Sequence, residues 1–217
     1  MLSLSRDEFK KLLQIVLFLN VALFTAIWLL RMWAGTAPWP AAGQSITLSI
    51  ALSTALLLFG VNLAWKWPAL AWLARRPIVH GVWWGEIKPI YQGRAIDPIP
   101  IAFVIRQKYA SLSIQSFTSS IPADSTIEVF ERSEKSTDVY LKYVYQMTRE
   151  ANAENKATVG YGRLRLERAG QELGGSYWTN SPTSGQIRLK LVTRDCDDIN
   201  CFESAREAAD KKGFVGK

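Results

Sequence analysis

The chain has 217 residues, 48% of them hydrophobic, and a formal net charge of +7. That length holds two membrane spans and one domain with its own core. Residues 1–76 carry seven Lys/Arg against two Asp/Glu, and residues 77–217 carry nineteen against seventeen. The excess charge therefore sits beside apolar sequence, where it sets membrane topology or meets anionic lipid. It is not a nucleic-acid footprint, and no direct DNA or RNA binding is expected.

Two apolar runs open the chain, at residues 12–30 and 46–65. Each has about the 20 residues that a helix needs to cross a bilayer. Arg6, Lys10 and Lys11 precede the first, and Lys66, Arg75 and Arg76 follow the second. The connector, residues 33–44, carries no charge. The positive-inside rule then places both termini in the cytoplasm. The first run is longer than the apolar core of a signal peptide, and Arg31 interrupts any approach to a cleavage site.

Ser45, Ser49 and Ser53 recur every four residues and form one small-residue face on the second span. Asn20 and Asn62 are polar groups that prefer a protein neighbour to lipid. This face either packs the first helix on the second or joins other subunits. The residue pattern fits both.

The linker runs over residues 67–79 and includes a short interfacial helix near residues 70–75. From residue 80 the period changes to that of strands. Eight are expected, at 82–88, 99–108, 111–118, 126–131, 139–147, 158–168, 171–180 and 186–193. Short links favour a meander, and eight strands favour closure into a barrel without free edges. The expected fold is thus a two-helix transmembrane hairpin, residues 1–66, followed by a soluble eight-stranded antiparallel up-and-down β-barrel, residues 80–193. It is of the lipocalin or fatty-acid-binding type. A C-terminal tail, 194–217, is partly helical. An outer-membrane barrel is excluded, because Arg106, Lys142, Arg163, Arg165, Arg188 and Lys190 fall in the outward register.

Alternation also sorts the interior. It points inward Trp83, Gln107, Ser116, Thr118, Tyr143, Tyr145, Tyr177 and Thr179, among apolar neighbours such as Phe103, Ile105, Leu141 and Leu189. An apolar cavity with a few convergent polar groups is the usual composition of a small-molecule site. Aromatic rings stack on nucleobases, and hydroxyl or amide groups meet base edges. The same tyrosines also suit a filled core. The inner set has no Lys or Arg, so phosphates would need hydroxyls, backbone N–H groups, or rim cations such as Lys108 or Arg188.

Catalysis is not expected. The only histidine, His80, lies at the linker boundary, and no triad can be assembled without it. There is no P-loop. Cys196 and Cys201 have poor zinc spacing and read as ordinary thiols. No metal or cofactor is expected.

The order of these features resembles a known family. Two N-terminal spans precede Gly81, Trp83 and Gly85. Then come Ile105 and Gln107, the Ser/Thr-rich stretch from Ser116 to Ser120, Leu141 to Tyr145, Gly175 to Asn180, and Thr183 to Ile187. This is similar to the CBASS anti-phage effectors with two transmembrane helices and a strand-rich barrel, which are associated with cGAS/DncV-like nucleotidyltransferases. The resemblance implies that a cyclic dinucleotide, made on infection, binds the barrel. Bound chains would then homo-oligomerise and disrupt the bacterial inner membrane. A membrane-tethered lipocalin-like binder of a lipid is the alternative.

Overall fold

The computed structural model describes residues 6–62, 76–132, 138–148, 157–167 and 170–214. They fall into two units, a helical pair and a strand-rich body from Pro77 onward. The interfacial helix expected near 70–75, and residues 63–65 of the second span, lie outside the described residues.

The first unit is an antiparallel pair, α1 (Arg6–Trp33) and α2 (Pro38–Asn62). Both are long and apolar enough to cross a membrane. Helix α2 starts eight residues before its apolar run. Pro38 and Pro40 sit in its first turn, where a missing N–H costs nothing. Ser45, Ser49 and Ser53 are all buried on the face toward α1. There the Asn20 amide donates to Ser53 Oγ at 2.9 Å, and Ser49 Oγ donates to Asn20 Oδ1 at 3.5 Å. Of the two uses open to the serine face, the structure fills the first: it packs helix on helix. Asn62 is not part of this contact; its amide donates to Leu58 O one turn back.

The second unit is a closed antiparallel barrel. Its strands are β1 (Gly81–Tyr91), β2 (Arg94–Ala95), β3 (Ile99–Gln107), β4 (Leu112–Phe117), β5 (Pro122–Arg132), β6 (Val139–Thr148), β7 (Ala157–Glu167), β8 (Glu172–Thr179) and β9 (Thr183–Thr193). Neighbours pair in order, and β1 pairs with β9 to close the ring. Eight strands form the wall, as expected. The two-residue β2 is an addition. It folds back on the end of β1 through Gln92 and Gly93, both at positive φ (49° and 80°), the geometry of a tight hairpin turn.

Inward residues form one core that includes Trp83, Phe103, Ile105, Ile114, Leu141, Leu164 and Leu189. A second core lies on the outer wall. Val82, Trp84, Ala102, Val104 and Val192 are buried there under the helix α3 (Phe202–Lys211). Phe202 packs on Trp84 with ring centroids 5.3 Å apart. This explains the unbroken apolar runs of β1 and β3, which are buried on both faces.

The tail cysteines have places in that second layer. Cys196 is buried against the wall, and its thiol lies 3.7 Å from Ile105 O. Burial pushes the Cys196 thiol pKa up, which keeps it an unreactive thiol. Cys201 is the N-cap of α3, in a reciprocal capping arrangement with Ser204.

Candidate functional site

The barrel has two unlike ends. One is a floor, made where the chain enters from the linker. Val79 is fully buried there and belongs to the inner core. Gln107 holds it in place: its Oε1 accepts from Val79 N at 2.8 Å and His80 N at 3.1 Å, and its Nε2 donates to Pro77 O at 2.9 Å. Trp83 Nε1 donates to Val79 O at 2.9 Å. Arg194 donates to Ile78 O at 3.1 Å and to His80 O at 2.6 Å. Gln107 and Trp83 thus bond into the floor and do not line the cavity above it.

A Gln107→Leu chain tests that structural role. The change leaves the buried Val79 N–H and the partly buried His80 N–H without this acceptor, at a cost of about 1–3 kcal/mol for the buried one. The expected result is a clear fall in melting temperature. An unchanged melting temperature would contradict the floor assignment.

The other end opens into a cavity of about 560 Å³. Six of the eight residues picked out by alternation line it: Ser116, Thr118, Tyr143, Tyr145, Tyr177 and Thr179. Ile87, Ile99, Ile101, Phe103 and Met147 supply apolar wall, and Thr158, Ser181 and Thr183 add hydroxyls missed by the sequence reading. Among the described residues the lining contains no ionised side chain. Lys108 is not at the mouth: it follows Gln107, at the floor end. Arg188 is on the outer wall, across from Glu86. The rim cations expected from the sequence therefore do not serve this opening.

The three tyrosines are seated by glycines. Tyr143 lies across the ladder from Gly162, Tyr145 from Gly160, and Tyr177 from Gly185. A Cβ at Gly160 would stand 2.2 Å from the Tyr145 ring, and one at Gly162 would stand 2.3 Å from the Tyr143 ring. Glycine lets each ring lie flat over the opposite strand. Tyr143 meets Tyr145 at 5.7 Å and Phe103 edge-on at 5.8 Å. Together they form an aromatic platform.

Burial raises the pKa of all three tyrosines, and Tyr143 is further raised by Tyr145 and Tyr177. They stay neutral hydroxyls that both donate and accept. On unfolding they return to the ordinary value of about 10. Their stabilising effect is full below that pH and is lost as pH rises through the raised values. Unfolding midpoints should hold steady up to about pH 9, where the buried Cys196 thiol begins to contribute, and fall more steeply above about pH 10 as the tyrosines add theirs. Tyr145→Phe should make that fall shallower; an equally steep fall would contradict the assignment.

A larger depression, about 1120 Å³, lies on the outer wall among Glu86, Arg165, Glu167, Arg188 and Lys190. Its lining carries charged side chains of both signs. The interior cavity, apolar with convergent hydroxyls, has the better build for a small molecule.

Comparison with known proteins agrees with a receptor barrel. Residues 74–191 match the family model described as Cap15, cyclic dinucleotide receptor domain. The chain belongs to the Cap15 family. The match runs from ahead of β1 to within two residues of the end of β9, and stops before the segment that carries α3. A curated relative, CD-NTase-associated protein 15 of Staphylococcus schleiferi, is 25% identical over 148 residues, which are 68% of this chain and 79% of that protein. The expectation drawn from the order of motifs therefore holds: this is a CBASS effector with a cyclic dinucleotide receptor domain of the Cap15 type.

Proposed function

We propose that the interior cavity is where the second messenger binds, through Ser116, Thr118, Tyr143, Tyr145, Tyr177 and Thr179. The observation that carries this reading is the cavity itself, with its aromatic platform and its ring of hydroxyls in an otherwise apolar wall. Rings stack on bases, and hydroxyls meet both base edges and phosphate oxygens.

The effector is not an enzyme in this reading. A CD-NTase supplies the cyclic dinucleotide. Occupied barrels associate, the helical pairs gather in the bacterial inner membrane, and the bilayer loses integrity. Both termini are cytoplasmic, so the barrel meets a cytoplasmic ligand. A ligand shifts such an equilibrium only by binding the gathered state more tightly. Confinement to a membrane helps, because it raises effective concentration. Residues 1–66 act as the output, 67–79 as the linker, 80–193 as the sensor and 194–217 as its brace.

The isoleucines and Met147 of the cavity wall favour a second reading, a lipid carrier. Thermal shift of the detergent-solubilised chain separates the two. Cyclic dinucleotides should raise the melting temperature, and fatty acids should not. The reverse result would overturn the proposal.

A further inference from the structure

Among the described residues the cavity lining holds no charge, yet a carboxylate lies just beneath it. Strand β5 has a bulge between Ser125 and Ile127, which reverses its inside-outside alternation. Glu128 is thereby turned into the barrel. It is only 6% exposed, and it lies directly across the ladder from Tyr143, a cavity residue. Its Oε1 accepts a hydrogen bond from the Ser125 hydroxyl. Among the described residues no Lys, Arg or His pairs with it.

A buried carboxylate with one hydroxyl partner retains acceptor capacity and no donor. Placed under a cavity that takes a dianion, it repels phosphate and attracts N–H. The opposite end has the complementary chemistry, with Thr158, Thr179, Ser181 and Thr183 at the strand ends near the mouth.

We infer that a cyclic dinucleotide enters base first, that one base reaches the barrel interior beside Tyr143, and that Glu128 accepts an amino or imino N–H from that base. The phosphates stay at the mouth, among the hydroxyls and water. Glu128 then helps to determine which base is accepted. Carboxylates read base edges by this chemistry elsewhere, accepting from exocyclic amines. The inference rests on the cavity being the ligand site.

The test is calorimetry of the full chain in detergent with cyclic di-GMP, cyclic di-AMP and cyclic di-UMP. Wild type and Glu128→Gln are compared. The amide keeps the shape but replaces one acceptor with a donor. The expected result is a loss of about tenfold for the ligand that wild type binds most tightly, and a changed order of preference among the three. A merely structural Glu128 would lower all affinities alike or none. An unchanged ratio among the ligands, with wild type binding, overturns the inference. If wild type binds none of the three and no other cyclic dinucleotide, the cavity assignment itself fails. Ser125→Ala serves as the control for the bulge; it should not alter the order of preference, and the inference is overturned if it alters that order as Glu128→Gln does.

Discussion

Ser116→Phe is expected to abolish cyclic dinucleotide binding while the barrel stays folded. Ser116 lines the cavity and sits between Phe103 on β3 and Ala123 on β5 in the ladder. Its hydroxyl makes a long 3.4 Å contact to Ala123 O, so little is lost when it goes. A benzyl group there extends into open space among Ile101, Phe103 and Tyr143. Overpacking a dense core costs about 1–3 kcal/mol, but this ring enters a void and buries apolar surface. The melting temperature should therefore hold or rise. Affinity should fall by at least about a hundredfold, because the ring occupies the space of a base and the ligand loses its stacking, worth about 1–3 kcal/mol per base. Calorimetry on the folded variant reads this directly. Undiminished affinity would mean that the ligand binds elsewhere on the barrel.

The second large effect concerns the helical pair. Ser49→Ile together with Ser53→Ile should abolish membrane permeabilisation and leave ligand binding intact. Both serines are buried between α1 and α2, and both meet Asn20. Two β-branched side chains do not fit where the buried serines meet Asn20, and force the helices apart there. They also leave the Asn20 amide without partners in an apolar medium. An interhelical hydrogen bond in a membrane is worth about 0.6–2 kcal/mol, and overpacking adds about 1–3 kcal/mol. Together these are enough to undo a two-helix contact. Cell killing on co-expression with a CD-NTase is the readout, with calorimetry as the control. Unchanged killing would show that the hairpin's internal packing is dispensable.

Much of this architecture was legible in the residues. The change of period at residue 80 marked the barrel, and strict alternation placed Tyr143, Tyr145 and Tyr177 on one inner face. Alternation could not tell one end of the barrel from the other. Gln107 and Trp83 share the inner parity of the cavity residues, yet they bond to Val79 at the floor. The Gln107 contact joins residues 28 apart in the chain, and periodicity carries no such information. Lys108 failed as a rim cation for the same reason, and Arg188 because it stands on the outer wall across from Glu86.

Two other features had signals in the sequence, and a third had none. Gly160 and Gly162, spaced by two in a strand, mark places where rings from the next strand lie over the backbone. The unbroken apolar runs of β1 and β3 announced a cover on the outer wall, which α3 supplies. Glu128 was hidden by the bulge, because plain alternation from Ala123 points Ser125, Ile127 and Val129 inward instead. Bulges are not visible in a period-two pattern.

Under the proposed function, the barrel's ligand controls the membrane through the two helices. Dye release from liposomes bearing the full chain tests it most directly. Release is expected on addition of the cognate cyclic dinucleotide, and none with Ser116→Phe or with the Ser49→Ile, Ser53→Ile pair. Release that proceeds without nucleotide, or equally with Ser116→Phe, would contradict it.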